Sequence, residues 1–224
     1  MNIAVYCGSA SGNRPSFTEG AKALGSWIAQ NGHTLVYGGS RTGLMGATAD
    51  AVLAGGGKVI GVIPDVKLIQ ERRHPGLTEC IETKDMAERK QKMIELADAY
   101  VALPGGPGTL DEISEVICLA RLGIENKACV LFDTDGYYQA LKKILRRWWK
   151  SDFRKKKTSS GFWYPQIWTK LDALSNNRTA CQKRYCSVDG DERGSGQALQ
   201  FFSCENRWIG LSWNYHKRRD AMSQ

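Results

Sequence analysis

The chain has 224 residues, 42% apolar and 24% charged, with a formal net charge of +8, which describes a globular protein and excludes collagen, a disordered chain and a small disulfide scaffold. No apolar run, 59–63 among the longest, approaches the roughly 20 residues needed to cross a bilayer, and the N-terminus lacks the basic and apolar regions of a signal peptide, so a cytoplasmic location without membrane contact is expected. The charge is unevenly spread: residues 1–145 carry 15 basic and 16 acidic side chains, residues 146–224 carry 16 and 7, and six of the seven tryptophans lie in the second part.

In chain order, strand-length apolar runs recur at 3–7, 34–37, 58–63, 80–83, 99–103 and 128–132, rich in β-branched residues as suits strands buried on both faces. Helical patterns fall between them. Phe17, Ala21, Leu24 and Ile28 step by 4, 3 and 4 after Pro15, with a stop at Asn31-Gly32. Further helices are expected at 44–53, at 86–97 after Asp85, and at 110–122 after Thr109, ending at Gly123. Strand alternating with helix predicts an α/β fold, a doubly wound, mostly parallel Rossmann-like sheet with helices on both faces. Ligands in such sheets sit beyond the carboxyl ends of the strands. Seven cysteines is an odd number; Cys7, Cys80, Cys118 and Cys129 lie in apolar segments and are expected to pack as reduced thiols.

Three strand-to-helix loops are glycine-rich: 7–12, 37–46 and 104–109. Bare backbone amides followed by the positive end of a helix dipole predict a phosphate site. Glycine required only for a tight turn is the plainer reading of any one loop. No Gly-Lys-Ser/Thr ending marks a P-loop, and no Gly-x-Gly-x-x-Gly precedes an acidic residue about 20 positions on. In Pro104-Gly105-Gly106-Pro107-Gly108-Thr109-Leu110-Asp111-Glu112, Thr109 and Glu112 have the spacing of a capping box. Glu112 therefore either caps the helix or reaches the sugar attached to a bound phosphate. Arg89 and Lys90 on the preceding helix read as a solvated face or as site cations, and Met86 and Met93 as core.

Arg89-Lys90-x-x-Met93, then Pro-Gly-Gly-x-Gly-Thr-x-x-Glu at 104–112, with Tyr-Gly-Gly and Gly-Leu-Met-Gly upstream, resembles the LOG family over residues 1–145. These are cytokinin riboside 5′-monophosphate phosphoribohydrolases, often mislabelled lysine decarboxylases; no feature here singles out a lysine to hold pyridoxal phosphate, and neither cofactor nor metal is expected. The resemblance implies hydrolysis of the N-glycosidic bond of AMP or its N6-substituted forms, giving free base and ribose 5-phosphate. It implies Glu112 and Arg89 as the catalytic pair, Gly105, Gly106, Gly108 and Thr109 as the phosphate cradle with Gly8 and Ser9 beside it, Lys90 as nearby charge, and Gly39, Met45 and Gly46 along the ribose and base. Relatives form homodimers. Many also carry His where this chain has Ala87, so that contact is missing. A non-catalytic nucleotide-binding module is the alternative.

From Arg146 onward the resemblance stops, and residues 146–224 read as a basic, Trp-rich tail outside the Rossmann-like domain of residues 1–145. A shifted reading frame is favoured over a nucleic-acid-binding arm and over a zinc site from Cys181, Cys186, Cys204 and His216, whose spacing fits ligation poorly. A foreign tail would leave a sheet edge uncovered.

Overall fold

A computed structural model describes residues 1–151 and 167–168. The chain divides into units Met1–Lys183 and Arg184–Gln224; the second lies outside the described residues, as do Cys181, Cys186, Cys204 and His216 and most of the basic tail. In chain order the elements are β1 (Asn2–Tyr6), α1 (Pro15–Gln30), β2 (Thr34–Tyr37), α2 (Gly43–Ala54), β3 (Lys58–Pro64), α3 (Lys67–Gln70), β4 (Glu79–Thr83), α4 (Met86–Leu96), β5 (Ala99–Ala102), α5 (Pro107–Leu122), β6 (Ala128–Leu131), a 3₁₀ turn (Thr134–Gly136), α6 (Gln139–Lys150) and β7 (Ile167–Trp168).

Every strand pairing is parallel, in the order β4-β3-β2-β1-β5-β6-β7. The chain starts in the middle at β1, builds outward to β4, then crosses back through α4 to place β5 on the other side of β1. Connections leave β1 and β5 toward opposite faces, so a crevice opens beyond their carboxyl ends. The three glycine-rich loops follow β2, β1 and β5, which are adjacent in the sheet. This adjacency gathers them at one place.

Strand alternation sorts the core into two layers. Ile3, Val5 and Cys7 face α1 and α2; Ala4 and Tyr6 face α4, α5 and α6. Leu24 and Ile28 of α1 are fully buried, each contributing about 1.5–3 kcal/mol. Pro15 opens α1 and Asn31 closes it, its side-chain amide donating to the Trp27 carbonyl at 2.8 Å. Asp85 caps α4 by accepting the Glu88 amide at 2.9 Å. Gly123, at φ 73°, ends α5 in the left-handed conformation that favours glycine.

The structure differs from some expectations and adds detail to others. Met93 is core, but Met86 is 39% exposed because it lies in the first turn of α4, above the sheet. Cys7 and Cys129 pack as buried thiols, whereas Cys80 is half-buried and Cys118, on the outer face of α5, is exposed. Helix α6 runs unbroken through residue 145 to Lys150, with Leu141 and Leu145 against the core. The edge of β6 is partnered by Ile167 and Trp168 rather than bare at Cys129 and Val130. No periodicity announced α3.

Candidate active site

The β5–α5 loop forms the floor of the crevice, and its hydrogen bonds have a consistent polarity. The Leu103 carbonyl accepts from Tyr138 Oη at 2.6 Å, that of Pro104 from the Gly8 amide at 3.1 Å, that of Gly105 from Tyr137 Oη, and that of Gly106 from the Leu110 amide at 3.1 Å. Prolines 104 and 107 have no amide proton. Among the described residues the amides of Gly105, Gly106, Gly108 and Thr109 have no acceptor. The protein thus occupies the loop's acceptors and leaves its donors open at the positive end of a 16-residue helix. A polyanion fits that asymmetry.

Glycine at these positions has two explanations. A Cβ on Gly105 would stand 2.1 Å from Thr109 Oγ1 and 2.9 Å from the Gly8 nitrogen, so close packing of the loop requires glycine there. On Gly106 and Gly108 a Cβ would meet nothing within 4 Å, and neither has a positive φ. Their bareness serves no contact within the described chain. It leaves amides uncovered for something that approaches from outside.

The other two loops do different work. The Gly8 carbonyl accepts from the Leu44 and Met45 amides at 3.1 and 3.3 Å, and the Thr42 carbonyl from Gly46 at 3.1 Å. The start of α2 is therefore already capped by the protein itself. Gly43, at φ 60°, lets the chain pass so close to Ser9 that a Cβ would lie 2.3 Å from the Ser9 carbonyl carbon, while Thr42 Oγ1 donates to the Ser9 carbonyl at 3.0 Å. Gly46 is glycine because a side chain would strike the Arg41 carbonyl at 2.1 Å. Gly39 donates no side chain either; its carbonyl accepts the His74 amide at 2.8 Å. Of the expected site residues, Gly8 and Gly105 meet directly, whereas Ser9, Gly39 and Gly46 build the scaffold around them.

Glu112 is not a cap. Pro107 sits at the first helical position with Gly106 before it, so α5 starts earlier than expected and Glu112 falls in its second turn. Helical side chains lean toward the N-terminus, which aims this carboxylate back toward the loop. It is 4% exposed and accepts a hydrogen bond from Arg89 Nη2. Arg89 is itself 5% exposed, four residues before Met93 on the inner face of α4. Its Nη1 donates to Met86 Sδ at 3.5 Å, and its Nε is buried without a partner. Gly38 makes room for it: a Cβ there would lie 3.2 Å from Nη2 and 3.4 Å from Met45 Cε. Gly38 was missed in the sequence, and its signal is being the first glycine after β2. Burial pushes the Glu112 carboxyl above its ordinary value near 4.5, and the Arg89 charge and hydrogen bond pull it back only in part. Lys90 braces two helices, its Nζ 2.9 Å from Asp111 Oδ2 and 2.9 Å from Glu115 Oε2, and its charge also reaches Glu112.

What results is a helix N-terminus with open amide donors and one buried carboxylate–guanidinium pair behind it. Among the described residues no cluster of His, Cys, Asp or Glu could hold a metal ion.

The family model described as possible lysine decarboxylase matches residues 45–166. A probable cytokinin riboside 5′-monophosphate phosphoribohydrolase of Oryza sativa subsp. japonica is 46% identical over 143 residues, 64% of this chain and 62% of that one. A cytokinin riboside 5′-monophosphate phosphoribohydrolase of Rhodococcoides fascians is 45% identical over 145 residues, 64% of this chain and 73% of that one. Among solved structures, the molybdenum cofactor carrier protein of Chlamydomonas reinhardtii aligns with a TM-score of 0.53 at 23% identity, covering 65% of this chain and 82% of that one. That likeness concerns the fold. The chain spans less than two thirds of the length of the rice relative.

Proposed function

The chain belongs to the possible lysine decarboxylase family, and from that membership and the geometry of the crevice we propose that it is a phosphoribohydrolase. It cleaves the N-glycosidic bond of AMP or an N6-substituted adenosine 5′-monophosphate, with water, to free base and ribose 5-phosphate. The observation that carries this is the polarity of residues 103–109, acceptors occupied and donors open, in front of the Glu112–Arg89 pair. The amides of Gly105, Gly106, Gly108 and Thr109 hold the phosphate. The sugar then lies over Glu112.

As the C1′–N9 bond lengthens, positive charge develops on the ribose ring, and a preorganised carboxylate stabilises it without reorganising solvent. Water adds its hydroxyl to C1′ and the departing nitrogen gains the proton. Arg89 holds the carboxylate in place through its Nη2. Met45 and Gly38 border the pair on the side of the base.

Catalysis rests on residues 1–145, where every residue of the proposed site lies. Charge in the first part is nearly balanced, so nucleic acid is not an expected partner. A homodimer in the cytoplasm accompanies this function: Leu122 and Ile124 offer exposed apolar surface, 66% and 71% accessible, and the free thiols of Cys7, Cys80, Cys118 and Cys129 among the described residues suit a reducing compartment.

The test is incubation with AMP and with isopentenyladenosine monophosphate. Free base and ribose 5-phosphate in equal amounts are expected. Calorimetric binding of AMP without base release would leave only a binding module, and equal turnover of adenosine would remove the phosphate from recognition.

A further inference from the structure

Two consecutive tyrosines at the start of α6 donate to alternate carbonyls of the β5–α5 loop: Tyr138 Oη to Leu103 at 2.6 Å, and Tyr137 Oη to Gly105. Tyr138 is 5% exposed and part of the core. Tyr137 is 43% exposed, so its hydroxyl bond is little needed for burial. Its ring is nevertheless pinned, edge-on to Phe17 of α1 at 5.5 Å and 82°, and to Tyr138 at 5.1 Å and 89°. The turn that carries both tyrosines is fixed by Asp133, which accepts from the Tyr138 amide at 2.7 Å, Gln139 Nε2 at 2.8 Å and Lys142 Nζ at 2.7 Å.

We infer that Tyr137 is a positioning residue for phosphate recognition, acting through the Gly105–Gly106 peptide; the inference rests on the phosphate role given above to the loop. A trans peptide points its carbonyl and amide in opposite directions, and no peptide in the described chain is cis. Holding the Gly105 oxygen toward Tyr137 therefore turns the Gly106 amide the other way. This peptide is flanked by glycine on both sides, so no Cβ resists its rotation. Released, it would be free to flip and present a carbonyl oxygen to the phosphate. The tyrosine hydroxyl supplies the restraint that side-chain sterics do not.

The test is Tyr137→Phe in the full chain, which keeps the ring contacts and removes only the hydroxyl. KM for AMP and the competitive Ki of inorganic phosphate are expected to rise together by about tenfold, the scale of one charge-assisted hydrogen bond. The kcat is expected to move by less than about twofold, and kcat/KM for adenosine, which lacks the phosphate, to stay within the same margin. Unchanged KM and Ki in a variant of an active wild type overturn the inference, as does a fall in kcat shared by AMP and adenosine. Where the wild type binds AMP without cleaving it, calorimetric Kd values for AMP and phosphate replace KM and Ki, with the same tenfold change expected and equality again overturning it. A wild type that binds neither AMP nor phosphate refutes the phosphate role of the loop itself, and this inference with it.

Discussion

Replacing Glu112 by Gln removes one charge and almost no volume, leaving a carboxamide oxygen able to accept from Arg89. The carboxylate is 4% exposed, so its field at the sugar is little screened by water. A preorganised group of this kind is worth about 10³-fold in kcat, or ~4 kcal/mol of transition-state stabilisation. Stability should change with a pH dependence of its own. Burial holds the Glu112 pKa above its ordinary value near 4.5, so the folded state prefers the protonated form. By linkage, this group's contribution to stability is full below its ordinary value and lost as pH rises through the raised one. A neutral Gln resembles the protonated form, which offsets part of the cost of leaving the buried Arg89 guanidinium without its counter-charge, so the variant should lose less stability at pH 7 than Arg89→Ala does and converge toward the wild type in acid. The assay is chromatographic release of adenine from AMP, with differential scanning calorimetry at several pH values and AMP binding by titration calorimetry. Activity within tenfold of wild type at full AMP binding would refute the charge argument, and a loss of melting temperature at pH 7 as large as that of Arg89→Ala would refute the burial argument.

Arg89→Ala strands a buried carboxylate and should cost about 3–5 kcal/mol in denaturant melts, while moving the acid limb of any residual kcat upward because Glu112 loses its cation. Wild-type kcat should fall as pH drops through a value above 4.5, since protonation neutralises Glu112; a limb at or below 4.5 in the pH–rate profile would contradict its burial. Gly108→Ala, inside the first turn of α5 with open space around it, should hold or raise stability by up to about 1 kcal/mol yet weaken AMP binding in calorimetry, whereas Gly105→Ala, whose Cβ would meet Thr109 and Gly8, should destabilise the fold itself in thermal melts. Burial pushes Glu125 upward, but hydrogen bonds from Tyr100, Lys127 and the backbone amides of Lys127 and Asn126 outweigh it and hold its pKa below 4.5. It therefore stabilises above its ordinary value and ceases to as pH falls through the lowered one, so Glu125→Gln should flatten the acid side of a stability–pH curve.

Much of the fold was legible because its signals are local. Near-continuous β-branched runs gave six strands to within a residue at most ends, and Asp85 and Gly123 marked a helix start and a helix stop through their own backbone chemistry. The order β2-β1-β5 was not legible, since it follows from where α4 crosses the sheet rather than from any one segment. For the same reason the sequence treats three glycine-rich loops as equivalent, although the Gly8 carbonyl takes up the Leu44 and Met45 amides at the start of α2 while the first amides of α5 stay open among the described residues. Thr109 and Glu112 satisfied a capping pattern by spacing alone; Pro107, a residue favoured at the first helical position, was the signal that the helix begins earlier. Arg89 and Lys90 read alike as a solvated face or as site cations, but only Arg89 is four residues from buried Met93 and so shares that helix face. Tyr137 gave no signal, because its partner Gly105 is 32 residues away.

The central claim is that four open amides seat a phosphate in front of Glu112, and those amides can be observed individually. In ¹⁵N-labelled protein titrated with AMP and then with inorganic phosphate, the amide resonances of Gly105, Gly106, Gly108 and Thr109 should shift saturably with both ligands, while those of Leu44 and Met45, already bonded to Gly8, move little. Saturation by AMP with the four amides unmoved, or with the response centred on Leu44 and Met45, would contradict it.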